Sequence, residues 1–241
     1  MSVRRPPGGT GFSRRQLLRS ATRHLSNVSD DEFVKQLTSH GLTPIWTWQT
    51  RVVRIVSRPE SEVPHELRLQ MVMLQDQAWP SDGPSDTAPW HDQSLNPLSV
   101  LLLDDADGVV SALDILSKQI AHRGKAYLAS GISAMVTDQR FRGHGYGGML
   151  AIAAREMTES SGADLGIFTC DAPLQRFYEA AGWQHLVGTV LIGGTPADPF
   201  PSDQFDKVTL GCFFSAKAKD AHADFVGARI ELFCGEIDKL W

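Results

Sequence analysis

The segment best equipped for chemistry runs from Ala134 to Leu150: an extended stretch, a glycine-rich turn reading Arg142-Gly143-His144-Gly145-Tyr146-Gly147-Gly148, then a helical pattern. Glycines at 143, 145 and 147 let backbone amides converge without Cβ interference. They do so at the positive end of a helix whose first N–H groups lack internal partners, which makes a cradle for a pyrophosphate. The turn lacks the Gly-Lys-Ser/Thr of the phosphate-binding loop. No βαβ unit with a downstream ribose carboxylate follows it, so it is no convincing dinucleotide fingerprint. Cys170, Cys212 and Cys234 lie more than 20 residues apart, with no CxxC or Cys/His metal spacing. No metal is expected, and a reduced, cytoplasmic setting is.

The chain has 241 residues, 42% hydrophobic and 21% charged, which is enough to bury a sizeable core as one large domain or two small ones. Its net charge of −5 is unevenly placed. Residues 1–25 carry six arginines and no acid, leaving 17 basic against 28 acidic residues, a net −11, for the rest. An acidic body repels phosphate backbones and attracts cations, so a nucleic-acid partner is disfavoured and a small cationic amine favoured. Residues 76–107 hold seven aspartates, Asp82 among them, and no Lys or Arg. No apolar run approaches the roughly 18 residues of a membrane-spanning helix, and no membrane partner is expected. Arg14 and Arg15 sit in a run that faintly resembles a twin-arginine export signal, but Arg19, Ser20, Arg23 and His24 follow where an apolar region belongs. A mobile basic tail over residues 1–27 is the expectation.

The elements that must position the turn follow from pattern. Ser29 starts a helix with Phe33, Val34, Leu37 and Leu42 on one stripe, and Trp46 to Val56 alternates as a strand ended by Pro59. Pro64 through Ala78 predicts a helix with Leu67, Leu69, Met71, Met73 and Leu74 as core positions. Trp79 to Pro97 is too rich in Pro, Ser, Asp and Gly for a regular element. Ser99–Leu103, a turn over Asp104–Gly108 and a strand from Val109 make a hairpin, and a second turn near Gly124 leads into Ala126–Thr137. A helix over His144–Ser160 closed by Gly162, a strand Leu165–Thr169, a short helix Pro173–Ala181 closed by Gly182, and strands at 207–214 and 228–234 complete a mixed α/β pattern.

At this point the sequence resembles the GCN5-related N-acetyltransferase superfamily. Arg142-Gly143-His144-Gly145-Tyr146-Gly147 fits its signature Gln/Arg-x-x-Gly-x-Gly/Ala in full, and Arg176-Phe177-Tyr178 through Gly182-Trp183 resembles the family's short helix with a tyrosine facing the cofactor thiol. The resemblance implies a mostly antiparallel seven-stranded mixed sheet with splayed parallel central strands, flanked by helices. It also implies acetyl-CoA as cofactor and direct attack of a neutral amine on the thioester. On this reading Met135, Val136 and Thr137 pair with the pantetheine arm, and the amides of Arg142, Gly143, His144, Gly145, Tyr146, Gly147 and Gly148 take the pyrophosphate. Tyr178, with an ordinary phenol pKa of about 10, protonates the departing thiolate.

Within the superfamily the chain looks like the aminoglycoside 2′-N-acetyltransferases over roughly residues 67 to 241. Trp79 to Gly83 resembles their acidic loop, and Leu232 to Trp241 resembles their terminal segment. The resemblance implies that Asp82, Asp206, Asp238 and the Trp241 terminal carboxylate hold a polycationic ligand, and that acetylation confers resistance. Two departures stand out. Ser133 occupies the place of a glutamate implicated in taking the amine proton, so Asp171 could serve as base or could cap a helix ahead of Pro173. Asp238 lies one residue further from the end than in those enzymes, so the acceptor could be atypical, such as kasugamycin. Residues 28–65 are an extension, a helix plus a strand, that packs on the acetyltransferase domain of residues 66–241, and they could dimerise the chain or cap the site. The rivals are an acetyltransferase for a peptide, lysine or metabolite amine, and a non-catalytic acyl-CoA sensor.

Overall fold

The computed structural model describes residues 52–80 and 90–241. The helix expected from Ser29, most of the strand expected over 46–56, and Asp82 lie outside the described residues. Strand β1 (Arg54–Pro59) leads through one 3-10 turn into helix α1 (His65–Ala78), followed by β2 (Leu98–Leu103), β3 (Val109–His122) and β4 (Lys125–Thr137). Helix α2 (Tyr146–Ser160), β5 (Leu165–Asp171) and the short α3 (Gln175–Ala180) come next. After them come β6 (Gln184–His185), β7 (Val190–Gly194), β8 (Pro199–Pro201), β9 (Lys207–Phe213), α4 (Ala216–Asp220), α5 (His222–Phe225) and β10 (Arg229–Glu231).

Seven strands form one sheet in the order β1-β2-β3-β4-β5-β9-β6, antiparallel except where β4 meets β5. β1, which falls within the expected extension of residues 28–65, is hydrogen-bonded along β2 from Arg54–Leu103 to Pro59–Leu98. β2 is buried along almost its whole length, as suits a strand covered on both faces by α1 and α2. Asp104 ties the turn after β2 by accepting from the N–H groups of Ala106 and Gly108 at 3.0 and 2.8 Å. The next turn uses Arg123 and Gly124, both at positive φ, as a two-residue hairpin requires.

α1 buries Arg68, Met71, Val72, Leu74 and Gln75, while Leu69 and Met73, expected in the core, are exposed. Those two stand off the 3–4 residue stripe that the helical repeat turns toward the sheet. The buried Arg68 is paired with the equally buried Glu60 at 3.2 Å. A second sheet, β10-β7-β8, contains the strand expected over 228–234 as β10, while β7 and β8, only five and three residues long, have no counterpart in the sequence pattern. It carries the last residues of the chain: Gly235 N–H donates to Gly194 O, and Gly194 N–H donates to Lys239 O, both at 2.9 Å. No helix among the described residues is long and apolar enough to cross a membrane.

Candidate active site

Two neighbouring central strands part company early. β4 and β5 run parallel and pair only at Ala129–Leu165 and Ser130–Gly166, after which they diverge. In the fork sits the indole of Trp241, whose Nε1 donates to Ile167 O at 2.8 Å. Gly131 is required there, since a Cβ would overlap the indole. Just beyond, the β3–β4 register slips: Ala112 pairs with Val136 and Asp114 with Ser133, so Ala134 and Met135 stand opposite Leu113 alone. Ala134 takes φ +48° in this bulge, which turns β4's backbone groups out of the ladder.

The bulged stretch separates two cavities. One, of about 600 Å³, is lined by Met135, Val136 and Thr137 from β4 and by Phe141, Arg142, Gly143, Gly145, Tyr146, Gly147 and Gly148 from the turn and the start of α2. Leu174, Phe177 and Tyr178 close it from the α3 side. Gly145, at φ +83°, is the N-cap of α2, and Gly143 has φ +80°, so the turn follows a path that favours glycine at both. A Cβ on Gly143, Gly145 or Gly148 would meet no protein atom and would protrude into open space. This bare, amide-rich cradle at a helix N-terminus fits a diphosphate, and the groove along Met135–Thr137 fits an extended arm. The His144 side chain is outside the lining. Its Nδ1 lies 3.2 Å from Phe141 O and 3.1 Å from Arg142 O, and its ring stacks on Tyr146. Arg142 Nε donates to Thr137 O at 3.2 Å, tying the turn back to β4. Below it, the buried Asp138 accepts from Arg140, whose guanidinium holds the carboxyl below the usual range.

Tyr178 is 6% exposed, packed edge-on against Phe168 and Phe177, with Oη 3.4 Å from Met135 Sδ. Burial pushes its phenol well above the ordinary value expected from the sequence, with Cys170 and Asp171 adding to the rise. It therefore stays protonated across all ordinary pH, with its O–H available to donate.

The second cavity, of about 270 Å³, is lined by Ser133 and Ala134, by Trp79, Trp90 and His91, and by the terminal run Ile237 to Trp241. Ser133, Asp238 and Trp241 are thus brought together, while Asp171 and Asp206 line neither cavity. Asp171 is exposed and paired with Lys207 at 2.6 Å; it stands at the N-cap position before Pro173 but accepts no capping hydrogen bond. Asp206 is exposed beside it, its carbonyl accepting from Ala172 N–H at 3.2 Å. Asp238, expected to help hold a cationic ligand, is here engaged by the protein itself. It is buried, with Oδ1 2.5 Å from His91 Nδ1 and Oδ2 accepting from Asp92 N–H at 3.1 Å.

His91 was not singled out by the sequence. Its side chain is 1% exposed, and its Nε2 lies 3.3 Å from Asp114 Oδ2 as an ion pair without an aligned hydrogen bond. Burial alone would lower its pKa; the contacts and charges of Asp114 and Asp238 outweigh this and push it up to about 10. The imidazole is therefore a cation between two carboxylates.

Residues 62–186 match the family model described as the acetyltransferase (GNAT) domain. No curated protein matches the chain. Among solved structures, a GNAT family N-acetyltransferase from Escherichia coli, in complex with CoA, is similar at 16% identity and a TM-score of 0.51, over 75% of this chain and 90% of that one. An acyl-CoA N-acyltransferase from Pseudomonas aeruginosa is similar at 14% identity and a TM-score of 0.48, over 66% of this chain and 99% of that one. Glucosamine-6-phosphate N-acetyltransferase from Arabidopsis thaliana is similar at 17% identity and a TM-score of 0.45, over 55% and 92%. With more than half its length matched by the family model, the chain belongs to the GNAT acetyltransferases, enzymes that carry the acetyl group of acetyl-CoA to an amine.

Proposed function

We propose that the protein acetylates a primary amine on a small cationic acceptor of the aminoglycoside type. The observation that carries this reading is the meeting of two cavities at one bulged stretch of β4, with Met135–Thr137 facing one and Ser133–Ala134 facing the other. In the larger cavity, backbone groups of Met135, Val136 and Thr137 bind the pantetheine arm. The N–H groups of residues 142–148 hold the diphosphate. Bound acetyl-CoA supplies an activated acyl carbon, which would meet the amine at the bulged stretch of β4 that both cavities share.

The amine must arrive neutral. A lysine-like amine, with a pKa of about 10.4, is nearly all charged at pH 7 and has to lose a proton first. Ser133, on the acceptor wall, can relay that proton to water, whereas Asp171 is engaged by Lys207 outside both cavities. Tyr178, kept protonated by burial, donates a hydrogen bond to the departing sulfur and stabilises the charge that develops there, a contribution of about 10²–10³-fold in rate.

The exposed indoles of Trp79 and Trp90 offer faces on which sugar rings stack, and the acidic body draws cations toward them. A second reading, a monoamine metabolite or peptide N-terminus, is favoured by one observation: His91 neutralises Asp238, and Lys239 stands on the same wall. Release of free thiol from acetyl-CoA with kanamycin, kasugamycin, amino sugars and a peptide panel tests both. Highest kcat/KM for an aminoglycoside supports the first reading, and turnover confined to monoamines supports the second. Tight acetyl-CoA binding with no turnover points to a sensor.

A further inference from the structure

We propose that His91 is a positioning residue: by bridging Asp114 and Asp238 it holds the C-terminal segment in place, so that Trp241 forms a wall of the acceptor cavity. The proposal rests on the reading of the smaller cavity as the acceptor site.

The two ends of the bridge differ in how firmly they are fixed. On the sheet side, Asp114 belongs to β3 and accepts from Ser99 Oγ at 2.6 Å. The backbone around His91 is gripped by the buried Glu60: Trp90 N–H donates to Oε1 at 2.5 Å, and Gln93 Nε2 to Oε2 at 2.8 Å. Arg68 donates to both the carboxylate and the carbonyl of Glu60. His91 is thus anchored to α1 and the main sheet before it meets the tail.

The tail is held mainly by backbone contacts to the small sheet, with Lys118 Nζ donating to Phe233 O at 2.6 Å. Phe233 and Trp241 both sit at positive φ, 42° and 34°, a conformation that L side chains adopt only when their surroundings impose it. Glu236, Ile237 and Lys239 point to solvent, and Asp238 is the single charged side chain among residues 236–241 that turns inward. A carboxylate buried there without its cation would be strongly unfavourable. Asp238 carbonyl accepts from Trp241 N–H at 3.1 Å, so seating Asp238 also sets the direction in which the indole enters the fork. The imidazolium therefore couples a wall built on Glu60, Arg68, Trp90 and His91 to one made by residues 236–241.

The test uses the full-length protein and begins without any acceptor. The Trp241 indole N–H, assigned by its loss in Trp241→Phe, is followed by ¹⁵N–¹H NMR for exchange with solvent. In His91→Gln its exchange should quicken by about tenfold or more as the tail opens locally. Acetyl-CoA affinity should stay within about twofold, and the acceptor KM should rise about fivefold while kcat changes less. A folded His91→Gln protein with the indole still protected overturns the clamp, and a released indole with unchanged acceptor KM overturns the wall. If His91→Gln does not fold, Asp238→Asn, which keeps a hydrogen-bond acceptor for His91, carries the same readouts with the same expected direction and the same overturning results. Wild-type protein that binds acetyl-CoA but turns over no amine defeats the acceptor reading alone; the indole exchange still decides the clamp.

Discussion

The larger cavity draws its walls from residues 135 to 178 and presents a turn of four glycines among apolar and aromatic side chains, whereas the smaller one gathers side chains from residues 79, 90, 91, 133, 134 and 237–241. One is local in sequence and, on the proposed reading, grips a constant ligand. The other is assembled across most of the chain, from a helix end, a loop, a strand and a tail. A turn of amides tolerates little change, because its geometry is its function. A wall of side chains fixed by buried charges can change residue by residue, provided the charges stay matched.

The sharpest way to break this division is Tyr178→Phe. Removing the phenolic proton should lower kcat by about 10² or more while acetyl-CoA affinity, measured by calorimetry, stays within about twofold. Equal losses in both would mean that the ring shapes the cofactor site instead. Gly145→Val comes next. A β-branched residue forced to φ +83° costs up to about 2 kcal/mol, so acetyl-CoA should bind up to roughly thirtyfold more weakly with the acceptor KM little altered. Trp241→Ala should act on the other side, raising acceptor KM about tenfold and lowering stability by about 3 kcal/mol or more, with the cofactor Kd unchanged. Chemical denaturation and steady-state kinetics read the two parts separately.

The smallest effect concerns pH. His91, ordinarily near 6.5 and pushed up to about 10 here, faces Asp114 and Asp238, with the Glu60 carboxylate on its own backbone N–H and Lys118 on the carbonyl of Phe233 in the tail. Because the folded pKa is raised, its contribution is complete below pH 6.5 and is lost as pH climbs through 10. The Tm advantage of wild type over His91→Gln should therefore shrink steadily between those limits. An advantage that grows with pH would show that the imidazole is neutral in the folded protein.

The same division explains what the sequence disclosed. The hairpins around Asp104–Gly108 and Gly124, the strand-turn-helix of residues 134–150, and the glycine stops at 162 and 182 are written in neighbouring residues, and each appears where expected. Met135–Thr137 and the turn glycines line a common cavity with Tyr178 because local pattern fixes β4, α2 and α3. His91 gave no such signal: its partners are 23 and 147 residues away, and a histidine beside a tryptophan in a Pro- and Ser-rich loop has no periodicity to betray it. The partner of Asp238 was hidden for the same reason, since only the fold brings the imidazole to it. Leu69 and Met73 were assigned inward by hydrophobicity, although the helical stripe through Arg68, Met71, Val72 and Gln75 excludes them.

The tail is threaded onto the small β10-β7-β8 sheet through Gly194 and Gly235, while the glycine turn hangs from the large sheet, so one wall of the smaller cavity rides on a frame that the larger cavity does not touch. On the function proposed above, recutting that frame would shift which amines are accepted and leave the acyl donor's seat intact.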